Sequence, residues 1–102
     1  MSKTKAHRLL SATELEQVAG RFKVLGEPMR LRILQAVCQG PRSVGDIVSA
    51  TGSTQANVSK HLALLASAGV LTRKKDGQCV FYGVKDPTMI RICELVRAQL
   101  KA

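Results

Sequence analysis

With 102 residues, of which 45% are hydrophobic, the chain can form one compact core but not two independent domains. Its 16 Lys and Arg outnumber its 7 Asp and Glu, and the net charge of +9 favours a polyanionic partner such as nucleic acid or an acidic membrane surface. The sequence has no run of about 18 apolar residues and no signal-peptide pattern, so we expect a cytoplasmic protein rather than a membrane or secreted one. Three cysteines without a Cys-x-x-Cys pair argue against a disulfide framework or a zinc finger.

The N-terminal part of the chain predicts an arm followed by a helix. Residues 1–10 are basic and lack helical periodicity, so we expect a flexible arm ahead of a single domain at residues 11–102. Ser11 and Glu14 stand at the spacing of a capping box, and an apolar pattern with helical period follows until Gly26. The first helix is therefore predicted between Ser11 and Gly26.

Two further helices are predicted before the middle of the chain. Pro28 suits the first turn of a second helix, where its missing N–H is harmless, and Gly40 ends that helix. Ser43 can cap a third, shorter helix that has Asp46 in its first turn and Gly52 at its end. The core stripe predicted for the second helix comprises Leu31, Ile33, Leu34, Val37 and Cys38.

The fourth predicted helix carries the most informative pattern. Thr54 can cap it, and Val58, Leu62 and Leu65 recur at the spacing of one buried face. A short break containing glycine separates it from the third helix, which is the helix-turn-helix arrangement. We expect an exposed outer face of short or forked polar groups suited to base edges and phosphates, formed by Gln55, Asn57, Ser59, Lys60 and His61. The segment from Ser53 to Thr72 contains no acidic residue, unlike an ordinary solvated helix.

A basic β-hairpin is predicted next. The strands are expected at residues 70–74 and 78–84, with an Asp-Gly turn signal at Asp76 and Gly77. Three basic side chains at or beside the tip could reach the phosphate backbone or the minor groove, namely Arg73, Lys74 and Lys75. An ordinary solvated turn is the alternative interpretation.

Four runs, taken together in order and spacing, resemble the ArsR/SmtB family of bacterial repressors. They are Glu27–Leu34, Asn57–Leu62, Ala68–Leu71 and Gly77–Tyr82. The resemblance implies a homodimer of winged helix-turn-helix subunits, with four helices, two strands and a fifth helix, that binds an imperfect palindrome in duplex DNA and is released by an inducer. It also places DNA contacts at Gln55, Ala56, Ser59 and Lys60, with Ala56 standing where a serine is common. The full predicted contact set is Thr54, Gln55, Ala56, Asn57, Ser59, Lys60, His61, Arg73, Lys74 and Lys75.

The last helix, predicted after Pro87, has an unusually wide apolar surface. Its apolar residues are Met89, Ile90, Ile92, Cys93, Leu95, Val96 and Leu100, and its polar stripe is Arg91, Glu94, Arg97 and Lys101. An arc that wide needs two packing surfaces. We therefore predict an isologous homodimer interface formed by the first and last helices.

The sensing chemistry is open at the level of the sequence. The third helix lacks the cysteines of the family's metal motif, and Thr88 and Gln99 stand where the last helix would need histidines, so we predict no metal site and no cofactor. Cys38 and Cys93 resemble the thiol-switch branch of the family, although that branch has its cysteines nearer to Gln35 and Lys101. Two alternatives remain: both cysteines are small core residues, or they bind a metalloid through an atypical thiol site.

Other function classes fit the sequence less well. No nucleophile, base and pocket constellation or glycine-rich phosphate loop supports an enzyme. One Tyr and two Phe, of which Phe22 is expected to be buried, offer little stacking surface for single-stranded RNA. A winged-helix architectural DNA-binding protein without an inducer is the main alternative function.

Overall fold

The computed structural model describes residues 9–101 as five helices and three strands. In chain order these are α1 (Ala12–Leu25), α2 (Pro28–Val37), β1 (Arg42–Ser43), α3 (Val44–Thr51), α4 (Gln55–Ser67), β2 (Leu71–Asp76), β3 (Cys79–Val84) and α5 (Thr88–Lys101). The predicted fold class, mainly helical with a β-hairpin, is confirmed. Of the predicted arm at residues 1–10, only Leu9 and Leu10 lie within the described residues, and both are exposed.

Local hydrogen bonds set the helix starts where the sequence predicts them. In α1 the backbone N–H of Glu14 donates to Ser11 Oγ at 3.1 Å, while the N–H of Ser11 donates to Glu14 Oε1 at 2.9 Å. This reciprocal capping box satisfies two N–H groups that have no partner inside the helix. The hydroxyls of Ser43 and Thr54 cap α3 and α4 by accepting from the backbone N–H groups of Asp46 and Asn57. Gly52, with φ of 70°, adopts the left-handed conformation that ends α3 and turns the chain toward α4.

The core lies between α2, α3 and α4 and is closed by the start of β2. Its side chains of zero exposure are Ile33, Ile47, Val58, Leu62, Leu65 and Val70. The predicted stripe of α2 is correct for Ile33, Leu34 and Val37 but wrong for Leu31 and Cys38, which are exposed. A helix can turn only part of its circumference toward one core, and these two residues face α5 instead.

The sheet has one strand more than the sequence predicted. Its strand order is β1-β3-β2, and all pairings are antiparallel. The two-residue strand β1 places Arg42 opposite Tyr82, and so short a segment carries no periodic signal. Asp76, predicted in the turn, is instead the last residue of β2 and pairs with Cys79. Of the two loop residues only Gly77 has a positive φ, 64°, as in a type II′ hairpin.

Apolar side chains on α1 and α5 are left uncovered within one chain. We call this surface the α1/α5 apolar face; it comprises Leu15, Val18, Phe22, Leu95, Val96 and Leu100, all exposed. The expectation that Phe22 is buried is therefore wrong for the isolated chain, in which its side chain is 55% exposed. Within residues 9–101, no helix combines the length and apolar character needed to cross a membrane.

The core predicts the first mutational result. Leu62→Ala should lower the free energy of unfolding by about 2–5 kcal/mol, because it leaves a cavity at a fully buried position. Leu64→Ala, on the same helix but partly exposed, is the control and should change stability by about 0.5 kcal/mol. Urea unfolding followed by circular dichroism measures both values. Equal destabilisation by the two variants would contradict the placement of the core.

Candidate nucleic-acid interface and thiol cleft

The exposed side of α4 presents four of the ten predicted contact residues together. Gln55, Ala56, Ser59 and Lys60 are exposed and lie in the first two turns of the helix. They occupy the side opposite Val58, Leu62 and Leu65, which fixes the direction in which they project. The N-terminus of α4 adds the positive end of the helix dipole to this surface. The arrangement can bind an anionic, hydrogen-bonding partner.

Two predicted contact residues at the start of α4 use their side chains to build the turn. The Thr54 hydroxyl accepts a hydrogen bond from the backbone N–H of Asn57 at 3.1 Å. The half-buried Asn57 in turn donates from Nδ2 to Ser53 Oγ at 2.9 Å. Both residues therefore fix how α4 leaves the turn.

His61 does not belong to the exposed side of α4. Its ring is only 7% exposed, and its Nδ1 accepts a hydrogen bond from Arg30 Nε at 3.3 Å. The expectation of an outward-facing His61 is therefore wrong. Its place on the core stripe follows from the helical period, since it stands three residues after Val58 and four before Leu65.

The basic residues of the wing, which we define as β2, β3 and their turn, project from both of its faces. Arg73 is paired with Tyr82 and Lys75 with Val80, whereas Lys74, on the opposite face, is paired with Phe81. All three basic side chains are exposed. The wing is thus positively charged on both sides, which suits a ribbon that lies along a groove between two phosphate backbones.

Arg42 is a basic surface residue that the sequence reading missed. It is exposed and pairs with Tyr82, as Arg73 does from the other side, so the two arginines lie on the same face of the sheet. Only the pairing of β1 reveals this, because Arg42 is distant from Arg73 in sequence.

Cys38 and Cys93 line the same cleft between α2 and α5. This thiol cleft has a volume of about 570 Å³; its other lining residues are Leu31, Leu34, Gln35, Ile90, Glu94 and Arg97. Gln35, near which the thiol-switch branch has its cysteine, therefore faces the same space as Cys38, one helical turn away. Both candidate sensing residues therefore face this cleft, and both thiols are free.

The environments of the two thiols differ. Cys38 is exposed, and a second cleft of about 430 Å³ places it near the side chains of Arg32 and Arg42. Cys93 is half-buried, and burial raises the pKa of its thiol, an effect to which the Glu94 carboxylate adds. Cys38 is thus the thiol that a solute reaches first.

The carboxylate of Asp86, just before α5, is held by local hydrogen bonds. Asp86 Oδ1 accepts hydrogen bonds from the backbone N–H of Thr88 at 3.0 Å and from its hydroxyl at 2.8 Å. These bonds lower the pKa of the Asp86 carboxyl, and the charge of Arg21 contributes to the decrease. Within residues 9–101, no three His, Cys, Asp or Glu side chains gather in a way that could hold a metal ion.

Comparison of the sequence with known proteins identifies the family of this chain. The family model described as bacterial regulatory protein, arsR family, matches residues 27–73. A probable mercury resistance operon repressor from Streptomyces lividans is 33% identical over 85 residues, which are 83% of this chain and 68% of the relative. Residues 27–73, which the family model matches, contain α2, α3 and α4 and therefore the whole helix-turn-helix.

Solved structures agree with the family match. The crystal structure of the antimony-specific repressor AntR has a TM-score of 0.83 and 32% identity, and the match covers 92% of this chain and 86% of that one. The homodimeric winged helix-turn-helix domain Mb0332 from Mycobacterium bovis has a TM-score of 0.77 and 31% identity, with coverage of 99% and 88%. The chain belongs to the ArsR family of bacterial winged helix-turn-helix transcriptional regulators.

Proposed function

We propose that the protein is a homodimeric cytoplasmic repressor that binds a palindromic operator through α4 and the wing, and that an inducer releases it. The observation that carries the proposal is the exposed side of α4, where Gln55, Ser59 and Lys60 project from a helix that packs against β2, the first strand of the positively charged wing. Gln and Ser can hydrogen-bond to base edges, and Lys can bind a base or a phosphate. The side chains of Gln55, Ser59 and Lys60 and the basic side chains of the wing are all exposed, so they are free to contact DNA.

The dimer in this proposal forms through the α1/α5 apolar face. A monomeric protein rarely leaves so many large apolar side chains exposed on neighbouring helices. The relative from Mycobacterium bovis is homodimeric, and this chain matches it over nearly its full length. An isologous dimer presents two recognition helices, and those of helix-turn-helix dimers reach half-sites about 34–36 Å apart, one turn of DNA.

The inducer in this proposal acts on Cys38 and Cys93. The Cys38 thiolate attacks a peroxide oxygen, the O–O bond breaks, and a sulfenic acid forms at Cys38 with release of hydroxide, which becomes water on protonation. The thiolate of Cys93 then attacks that sulfur, the S–O bond breaks, a disulfide forms, and the hydroxide that leaves is protonated to water. Two thiols and one hydrogen peroxide thus yield one disulfide and two waters, the protons coming from the two thiols. A crosslink between α2 and α5 would stabilise a dimer geometry with lower affinity for DNA.

A metalloid inducer is the second candidate, because two thiols line one cleft and soft ions prefer thiolates. Relatives of this chain include transcriptional regulators named for mercury, cadmium and antimony. The two candidates differ in chemistry: a metalloid is removed by a competing dithiol without net oxidation, whereas a disulfide needs a reductant.

The nucleic-acid preference can be tested by comparing duplex DNA, single-stranded DNA and RNA in filter binding at several salt concentrations. We expect duplex DNA to bind most tightly, with an affinity that falls steeply with salt because bound phosphates release counterions. Equal affinity for all three polymers would contradict the proposal. Binding without sequence preference would favour the architectural alternative.

The inducer can be tested by release from DNA with peroxide, a persulfide, zinc and arsenite in parallel. We expect release by peroxide or the persulfide from the wild type, and at least about tenfold less release from Cys38→Ser or Cys93→Ser, since either change removes one thiol of the pair. Cys79→Ser, which removes the exposed wing thiol, is the control and should respond like the wild type. Release that survives loss of both Cys38 and Cys93 would exclude the two-thiol mechanism, and release by arsenite alone would favour the metalloid.

A further inference from the structure

The buried ring of His61 has its partner on another helix. Buried polar groups are nearly always hydrogen-bonded, and here Arg30 of α2 donates from Nε to His61 Nδ1 at 3.3 Å. Nδ1 can accept only while the ring is neutral and its proton is on Nε2. The contact thus defines one tautomer of a residue in the middle of α4.

The same guanidinium also binds the end of α1. Arg30 Nη1 donates to the carbonyl oxygens of Lys23 and Val24, each at 3.3 Å. These carbonyls belong to the last turn of α1, and that of Lys23 also accepts from the backbone N–H of the C-cap residue Gly26 at 3.2 Å. One planar side chain therefore joins α1, α2 and α4.

A carboxylate sits beside this junction. Glu27 Oε1 caps α2 by accepting from the backbone N–H of Arg30 at 3.1 Å. Desolvation opposes ionisation of Glu27, but hydrogen bonds from the backbone of Arg30 and Met29 and the charge of the Arg30 guanidinium lower its pKa overall. Glu27 thus offsets the positive charge of the Arg30 guanidinium.

A second arginine links α1 to the other end of α4. Arg21 Nη1 donates to the carbonyl oxygen of Ala68, the C-cap of α4, at 2.7 Å. Residues 61 and 68 are roughly two turns apart. Helix α4 is therefore connected to α1 near its middle and at its end.

We propose that Arg30 is a positioning residue that fixes the angle of the recognition helix relative to α1 through His61. The inference rests on the proposed function, in which α4 reads DNA and α1 forms part of the dimer interface. A displacement of α1 at that interface would then reach α4 through this guanidinium. Arg suits the role because its donors have a fixed planar geometry, whereas Lys has a single ammonium group and cannot reproduce all three contacts.

Substitutions at His61 test the geometry of the contact. In His61→Asn the side-chain oxygen can stand close to the position of Nδ1, whereas in His61→Gln it lies nearer to that of Nε2. We expect His61→Asn to bind a selected duplex with nearly wild-type affinity and His61→Gln to bind it about tenfold more weakly, since a hydrogen bond to a charged group is lost. Arg30→Lys should weaken binding to the selected duplex as much as His61→Gln does. Arg32→Lys makes the same change at an exposed neighbour on α2 and is the control, with wild-type affinity expected.

Two readouts separate positioning from general destabilisation. The variants that lose the contact should lose discrimination between the selected and a scrambled duplex while the salt slope is retained, because the phosphate contacts are unchanged. In the free protein, the ¹⁵N resonance of His61 Nδ1 should show an unprotonated acceptor in the wild type and shift in Arg30→Lys. Equal affinities of His61→Asn and His61→Gln, or an unchanged Nδ1 resonance, would overturn the inference. Failure of the wild type to discriminate between duplexes would instead reject the proposed function. The ¹⁵N resonance of His61 Nδ1 would in that case still test the hydrogen bond between Arg30 and His61.

Discussion

Replacing Leu95 with Glu is expected to convert the dimer into a monomer and to weaken operator binding by at least about a hundredfold. Leu95 lies on the α1/α5 apolar face and is 72% exposed in the single chain, so a partner subunit must cover it if the proposed interface is correct. An unpaired carboxylate within that interface would lose its hydration without gaining a partner. Each monomer would then bind one half-site without the high effective concentration that linkage provides.

Sedimentation equilibrium and fluorescence anisotropy measure the two effects of Leu95→Glu. Arg91→Glu introduces the same side chain on the polar stripe of the same helix, where the residue is exposed, and should leave the protein dimeric. The folded state of both variants is checked by their unfolding midpoints. A dimeric Leu95→Glu variant with wild-type affinity would place the interface elsewhere.

Replacing both Gln55 and Lys60 with Ala is expected to remove the preference for the operator over other duplexes. Both side chains are exposed on α4 and serve no packing function in the described chain. A bidentate base contact provides about 1–3 kcal/mol of discrimination, so two such contacts account for a preference of about a hundredfold or more. Residual binding should resemble that of the wild type to scrambled DNA.

The wing provides the matched control for that result. Lys75→Ala should weaken binding to all duplexes alike and reduce the magnitude of the salt slope by about 1 per wing contact, because it removes a phosphate contact rather than a base contact. Competition titrations with operator and scrambled duplexes at several salt concentrations distinguish the two behaviours. Unchanged selectivity in the double α4 variant would exclude the proposed docking of α4.

The features that depend on neighbours in the sequence were predicted well. The capping box of α1, the caps of α3 and α4 and the glycine that ends α3 each depend on residues within one turn, so the sequence specifies them directly. The buried stripe of α4 follows from the same local period. The helix-turn-helix can therefore be located from the sequence alone.

The features that depend on distant residues were predicted less well. The polarity of His61 favours an exposed position, although its spacing from Val58 and Leu65 places it on the buried stripe. Its partner, Arg30, lies 31 positions away and carries no signal of its own in the sequence. Strand β1 was missed because two residues show no alternation, and with it the position of Arg42.

The wide apolar arc of α5 is a feature that the sequence predicts only in part. Its width indicates two packing surfaces, but periodicity does not reveal which residues face which surface. Met89 is buried in the chain itself, whereas Leu95 and Leu100 are among its most exposed apolar residues. The thiol cleft could not be predicted for the same reason, because the position of α5 relative to α2 in the folded chain decides that Cys38 and Cys93 share one space.

Selection of binding sites from a random duplex library tests the central claim most directly. A dimer that reads DNA through two α4 helices should enrich an inverted repeat whose half-sites are centred about 10–10.5 base pairs apart, or a multiple of that spacing. The enriched duplex should bind the wild type more tightly than a scrambled duplex and lose that advantage in the Gln55→Ala, Lys60→Ala double variant. Enrichment of no motif, or of a single motif without a repeat, would contradict the account.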